Sequence, residues 1–300
     1  MNLPWYLLLP LGAAVGYSVA SLFLKKALTE GAHPMACFHI NNWASSLVFL
    51  PLALLEKQPV AWHQWYVPVG LGTLFFIGSW FTFIAMQRGD VSLVTPVLGS
   101  KVVFVALSAS LLIAGSMKPL MWIAAIITTA GIFLMSATDW KTPKGARFAG
   151  PVVMALISAA IFAFADVILQ KWAPAFGPRT FLAILALTTG GLSLFAMALM
   201  PKPPPMPWNR ATQWSIGGSL LIAAQSVVMG ISLAFFNDAI GVNVVYATRG
   251  LWSLLAVAWL GPLIGNRERH ESGRAYGIRI LAATLLLAGV IFAVVARMRI

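Results

Sequence analysis

RGDVSLVTPVLGSKVVF (88–104) and FNDAIGVNVVYATRGLW (236–252) decide the fold of this chain, because they read as two versions of one segment. Laid over each other at an offset of 148, they match Asp90 to Asp238 and Lys101 to Arg249, and each base follows its acid by eleven positions. Working outward, YSVASLFLKK (17–26) lies over FAFADVILQK (162–171) at an offset of 145, matching Ser21 to Asp166 and Lys26 to Lys171. AGIFLM (130–135) lies over AGVIFA (288–293) at the end of each half. The small drift in offset falls in loops. The chain is therefore read as a duplication, with a first repeat over 1–145 and a second over 146–300.

Composition says what kind of unit is repeated. Hydrophobic residues make up 60% of the 300 and charged residues only 9%, against about 25% charged in a soluble domain. Mean hydropathy is +0.86. These values fit a membrane protein and exclude an ordinary soluble domain. A bilayer core is about 30 Å thick, so each helical span needs roughly 20 apolar residues. Ten such runs are legible, at 5–25, 34–55, 66–87, 91–113, 119–138, 149–171, 179–200, 213–236, 240–263 and 277–296. They are too long and too uniformly apolar for the alternating ten-residue strands of a membrane β-barrel. The expected fold is all-α and polytopic, ten transmembrane helices as two five-helix repeats. Five is odd, so the second repeat enters the membrane inverted, which places a binding site near the midplane between the halves.

The loops carry the punctuation: DWKTPKGAR (139–147) at the midpoint, PKPPPMPWNR (201–210), and the charged GNRERHESGRAYG (265–277). Net charge is +12, and the bases sit mostly in these short loops, as expected from orientation by positive charge rather than from nucleic-acid binding. Loops after odd-numbered spans hold twelve Lys and Arg against six on the other side, which would put the termini outside. The N-terminal MNLPWYLLLPLGAAVG lacks a basic start and reads as a retained first span. Its GAAVG (12–16) is a small-residue packing pattern that also suits a dimer face, so monomer and homodimer both stay open. Cys37 is the only cysteine, so no intrachain disulfide forms. No Cys/His/Asp/Glu cluster has metal-ligand spacing, and no phosphate cradle or nucleophile elbow occurs. No cofactor, metal or enzymatic activity is expected.

The polar residues inside spans carry the function. Lys101 and Arg249 each lie about ten residues into a span, near the bilayer midplane, where a Lys or Arg costs roughly 2.5–3.5 kcal/mol on insertion scales. Two readings stand: the bases hold an anionic group of the substrate, or they are neutralised by a carboxylate, for which Asp166 is the main candidate. Asp166 itself is either the partner of such a base or a proton-coupling acid. Asn243, Tyr246, Arg249 and Ser253 recur at helical spacing on one face, and Ser92, Thr95, Leu98 and Lys101 repeat that stripe. Asn42, Trp80 and Gln225 are further cavity residues in the second, third and eighth spans, with interhelical bonding or core packing as the plainer reading. His39 is read as a packing residue.

AMQRGDVSLVTPVLG (85–99), the ten spans and the two homologous halves resemble the drug/metabolite transporter superfamily, most closely its EamA-like branch. The stretch LLIAGSMKP (111–119) departs from many EamA-like members, which carry a Glu near the end of the fourth span. The resemblance implies a multi-pass secondary carrier working by alternating access, and relatives commonly place their termini in the cytoplasm, opposite to the charge count. In the sugar-phosphate branch, bases on the fourth and ninth spans hold phosphate, and Lys101 and Arg249 are similar in placement. The expectation is a carrier of a small anionic or zwitterionic metabolite in a bacterial inner membrane, proton-coupled or exchanging, with that small molecule and membrane lipids as its partners. An exporter of amino acids, aromatic compounds or drugs is the alternative, and a lipid-headgroup flippase a further one.

Overall fold

The computed structural model describes residues 4–88, 94, 97–113, 118–137, 149–199, 207–260 and 273–298. Among these residues the chain is helical, without strands. In chain order the helices are α1 (Leu8–Thr29), α2 (Pro34–Leu54), α3 (Tyr66–Arg88), α4 (Lys101–Leu112), α5 (Pro119–Ala137), α6 (Ala149–Phe176), α7 (Pro178–Leu199), α8 (Arg210–Phe236), α9 (Ala239–Tyr246), α10 (Arg249–Leu260) and α11 (Gly273–Met298). Single 3₁₀ turns, Trp5–Leu7 and Trp62–Gln64, lead into α1 and α3. Six helical stretches are long and apolar enough to cross a bilayer, and shorter apolar helices cover 97–112, 119–134 and 280–296. Helices are the form these runs must take, since no backbone N–H or C=O can stay unpaired in hydrocarbon. The protein is a polytopic α-helical membrane protein.

The ninth expected span, 240–263, is broken into α9 and α10. The break is local and repeated. Thr248 Oγ1 donates to the Val245 carbonyl at 2.7 Å, and Ser100 Oγ donates to the Val97 carbonyl at 2.6 Å. Both backbones tighten there to i→i−3 bonds, Thr248 N to Val245 O and Ser100 N to Val97 O, each at 3.1 Å. Thr248 stands 148 positions after Ser100. A hydroxyl that bonds back to its own helix competes with the regular ladder. Each break lies immediately before the intramembrane base, so Lys101 and Arg249 both open a half-helix.

The helix pairings come in matched sets. α1 packs on α8 as α6 packs on α3; α2 packs on α8 as α7 packs on α3; α1 packs on α10 as α6 packs on α4. The α2–α7 and α5–α11 pairings map onto themselves when the halves are exchanged. The largest interfaces thus join one half to the other, and the core is a shared seam. That seam is lined by small residues, including Ala13, Ala14, Ala163, Ala165, Ala173 and Ala234, all essentially buried. Small side chains let helix backbones approach closely, which is how helices associate without a hydrophobic driving force in lipid.

Candidate functional site

The two intramembrane bases stand at matching positions but are held differently. Lys101 Nζ lies 2.7 Å from Asp166 Oδ2, in an ion pair whose acid is 3% exposed. Asn243 Nδ2 donates to the same oxygen at 2.8 Å and to the Ala239 carbonyl at 2.9 Å. The Lys101 ammonium also stands 5.8 Å from the centre of the Phe162 ring. Asp166 on α6 therefore ties α4 to α9 and offsets the charge of Lys101.

Arg249 is held differently. Its guanidinium lies 4.7 Å from the centre of the Tyr17 ring and 4.8 Å from that of Tyr246, and the two rings meet edge-on at 6.1 Å. Such contacts stabilise a desolvated cation by about 2 kcal/mol or less and leave its charge in place. Among the described residues, no carboxylate forms an ion pair with Arg249. Its backbone is pinned instead: Ser18 Oγ donates to the Arg249 carbonyl at 3.0 Å, and Ser253 Oγ donates to Ser18 Oγ at 3.2 Å. The asymmetry follows from the repeat register, because Ser21 occupies in the first half the position that Asp166 holds in the second.

The structure gathers some of the expected site residues and disperses others. Lys101, Asp166 and Asn243 are bonded together, and one turn along the ninth span Tyr246 and Arg249 join them. Gln225 packs against α1: a Cβ added at Gly16 would sit 3.3 Å from Gln225 Cβ. Gln225 Nε2 donates to Ser226 Oγ at 2.9 Å, whereas its buried Oε1 has no partner. Asn42 is used elsewhere, donating from Nδ2 to Ser193 Oγ at 3.3 Å, and His39 Nδ1 shares that hydroxyl at 2.6 Å. This cluster glues α2 to α7. Trp80 belongs to an aromatic group with Phe38, Phe76 and Phe83. Thr95 lies outside the described residues.

Tyr17 and Ser18 were not singled out by residue type. A signal existed, because the 145 offset lays Tyr17 over Phe162. Each half thus sets an aromatic ring from its first helix against the base of the other half.

Paired broken spans with a half-buried base at each break are thus set in a polytopic helical membrane protein. Residues 3–137 match the EamA-like transporter family, so the first part of the chain is similar to that family of membrane transporters. A crystal structure described only as that of a protein shares the fold, with a TM-score of 0.78 over 99% of this chain and 98% of that one at 17% identity. No curated protein matches the sequence.

Proposed function

We propose that this protein is a secondary carrier of a small anionic or zwitterionic metabolite across a bacterial inner membrane, with Arg249 taking the substrate's anionic end. One observation carries the reading: of two half-buried bases at matching positions, Lys101 is ion-paired with Asp166, while Arg249 forms an ion pair with no carboxylate among the described residues. A lone intramembrane cation is costly, and an anionic ligand at the break offsets that cost. The half-helix α10 begins at Arg249, and its N-terminal dipole favours negative charge at the same place.

Tyr17, Tyr246 and Asn243 would shape the pocket, with Gln225 Oε1 as a further acceptor and Thr95 contributing by its register with Asn243. Asn42 and Trp80 serve helix packing instead. The matched helix pairings support two inverted repeats, 1–145 and 146–300, rocking about this centre. Asp166 is the coupling residue in this scheme: a proton on it would release Lys101 to a second anionic charge of the substrate.

The test is thermal unfolding of the detergent-purified protein against phosphates, carboxylates, amino acids and amines, since a ligand that binds only the folded state raises its Tm. Stabilisation by an anion class, lost in Arg249→Ala, is the expected result. Stabilisation by amines or neutral compounds alone would make both bases structural and favour the exporter of cationic or aromatic compounds.

A further inference from the structure

Glu56 occupies an unusual place for a loop carboxylate. It lies between α2 and α3, outside the spans, yet its side chain is only 4% exposed. Glu56 Oε2 accepts the backbone N–H groups of Arg179 and Thr180 at 2.7 and 3.1 Å, and Oε1 accepts those of Lys57 and Gln58 at 3.0 and 3.1 Å. Arg179 Nη1 stands 3.9 Å from Oε1. A first-half loop thereby caps the N-terminus of α7, a second-half helix, where orphan N–H groups and the helix dipole both favour an anion. Gly177, at φ +109°, makes the sharp turn into α7, and a Cβ there would lie 3.4 Å from Glu56 Oε2.

This contact has company. Successive spans run in opposite directions, so the segments preceding odd-numbered spans share one membrane face, the face of the termini. On it the halves are tied repeatedly: Ala61 N to Phe176 O at 3.0 Å, Tyr6 OH to Asp238 Oδ2 at 2.7 Å, Lys118 Nζ to Ala296 O at 2.9 Å, and Lys171 Nζ to Leu112 O at 3.0 Å. Each of these bonds joins a residue before 145 to one after it. Bonds between the halves thus recur on the terminal face, and among the bonds named Glu56 alone gathers four N–H donors on one carboxylate.

We propose that Glu56 is the clasp of the terminal-face gate: its bonds to the start of α7 hold that face closed, and their release opens the Arg249 site to it. The proposal rests on the alternating-access reading, but its test requires no transported substrate, so the two can fail separately. Charged hydrogen bonds are the stronger kind, and an equilibrium between closed and open faces shifts about tenfold for each 1.4 kcal/mol removed. Loss of the carboxylate should therefore raise the open population about tenfold or more.

The experiment places a reporter cysteine at Ser253, beside the site, in a Cys37→Ala background. Sealed vesicles of each orientation are treated with a membrane-impermeant maleimide. With Glu56 intact, labelling from the terminal face is slow. Glu56→Ala is expected to speed it about tenfold. Glu56→Gln, which keeps one acceptor oxygen and loses the charge, is expected to fall between the two. Far-ultraviolet circular dichroism and monodisperse gel filtration confirm that the variants are folded. Terminal-face labelling that is equally slow in all three would overturn the clasp, as would equally fast labelling with Glu56 in place.

Discussion

Lys101 and Arg249 sit 148 residues apart in chain and at the same place in their repeats. Each follows a hydroxyl that breaks its helix, and each faces an aromatic ring from the other half, Phe162 for Lys101 and Tyr17 for Arg249. The difference that sets their charge lies at one matched position. Asp166 stands where the first base can reach it, and Ser21, which instead bonds the Ser18 carbonyl at 2.8 Å, stands at the matching place for the second. On the reading of the chain as a duplication, one base is thus neutralised within the protein and the other is left without an ion pair among the described residues. A perfectly symmetric pair would either carry two unpaired cations, at a heavy cost in lipid, or neutralise both and have nothing to offer an anion.

The comparison can be broken in several ways, beginning with the largest effect. Lys101→Ala leaves Asp166 buried without its cation, so unfolding in detergent should show a loss of about 3–5 kcal/mol. Pairing it with Asp166→Ala should recover most of that loss, and a double variant no better than the single one would mean the pair is incidental. Arg249→Ala removes no ion pair, so its unfolding should change far less. Its effect belongs to binding: anion affinity, read by calorimetry, should fall about a hundredfold, equivalent to about 2.7 kcal/mol.

Transplanting the difference is the sharper version. Ser21→Asp puts into the first half the acid that the second half has, and it should weaken anion binding about tenfold or more by pairing with Arg249. Unchanged affinity would show that the register match between Ser21 and Asp166 does not extend to space.

The smallest effect lies away from both bases and serves as their control. Burial raises the pKa of Glu56, but bonds from the Gln58, Thr180, Arg179 and Lys57 amides outweigh it, and the net value lies below the ordinary 4.5. A depressed carboxylate contributes stability that is complete above its unfolded value and is lost as pH falls through its folded one. Arg179 and Lys57 are the charged groups beside it. Thermal stability should therefore decline as pH falls below 4.5, and Glu56→Gln should remove that part of the decline.

Much of the fold was legible because lipid imposes a severe rule. Long apolar runs can only be helices there, and the expected spans at 34–55, 66–87 and 149–171 correspond to α2, α3 and α6. Several polar residues that the fold brings together around Lys101 and Arg249 were legible as well. Lys101, Arg249, Asp166 and Asn243 stood out because charge and amide are rare in such runs, and Tyr246 by its helical spacing from Asn243 and Arg249. Asn42 shared that rarity but bonds Ser193 across the α2–α7 seam, and Trp80 lies in an aromatic cluster, since residue type alone does not say which neighbour a side chain meets. The break at Thr248 was hidden for a similar reason: a single threonine in an apolar run does not announce that its hydroxyl bonds back to Val245.

By itself, then, the sequence determined the helical class, the repeat register and the identity of the rare polar groups, because these depend on local hydropathy and on internal similarity. Which carboxylate meets which base was decided only when α6 packed against α4 and α9. An ion pair at 2.7 Å depends on where helices distant in the chain come to lie, and only the packed interface of the two halves sets that distance.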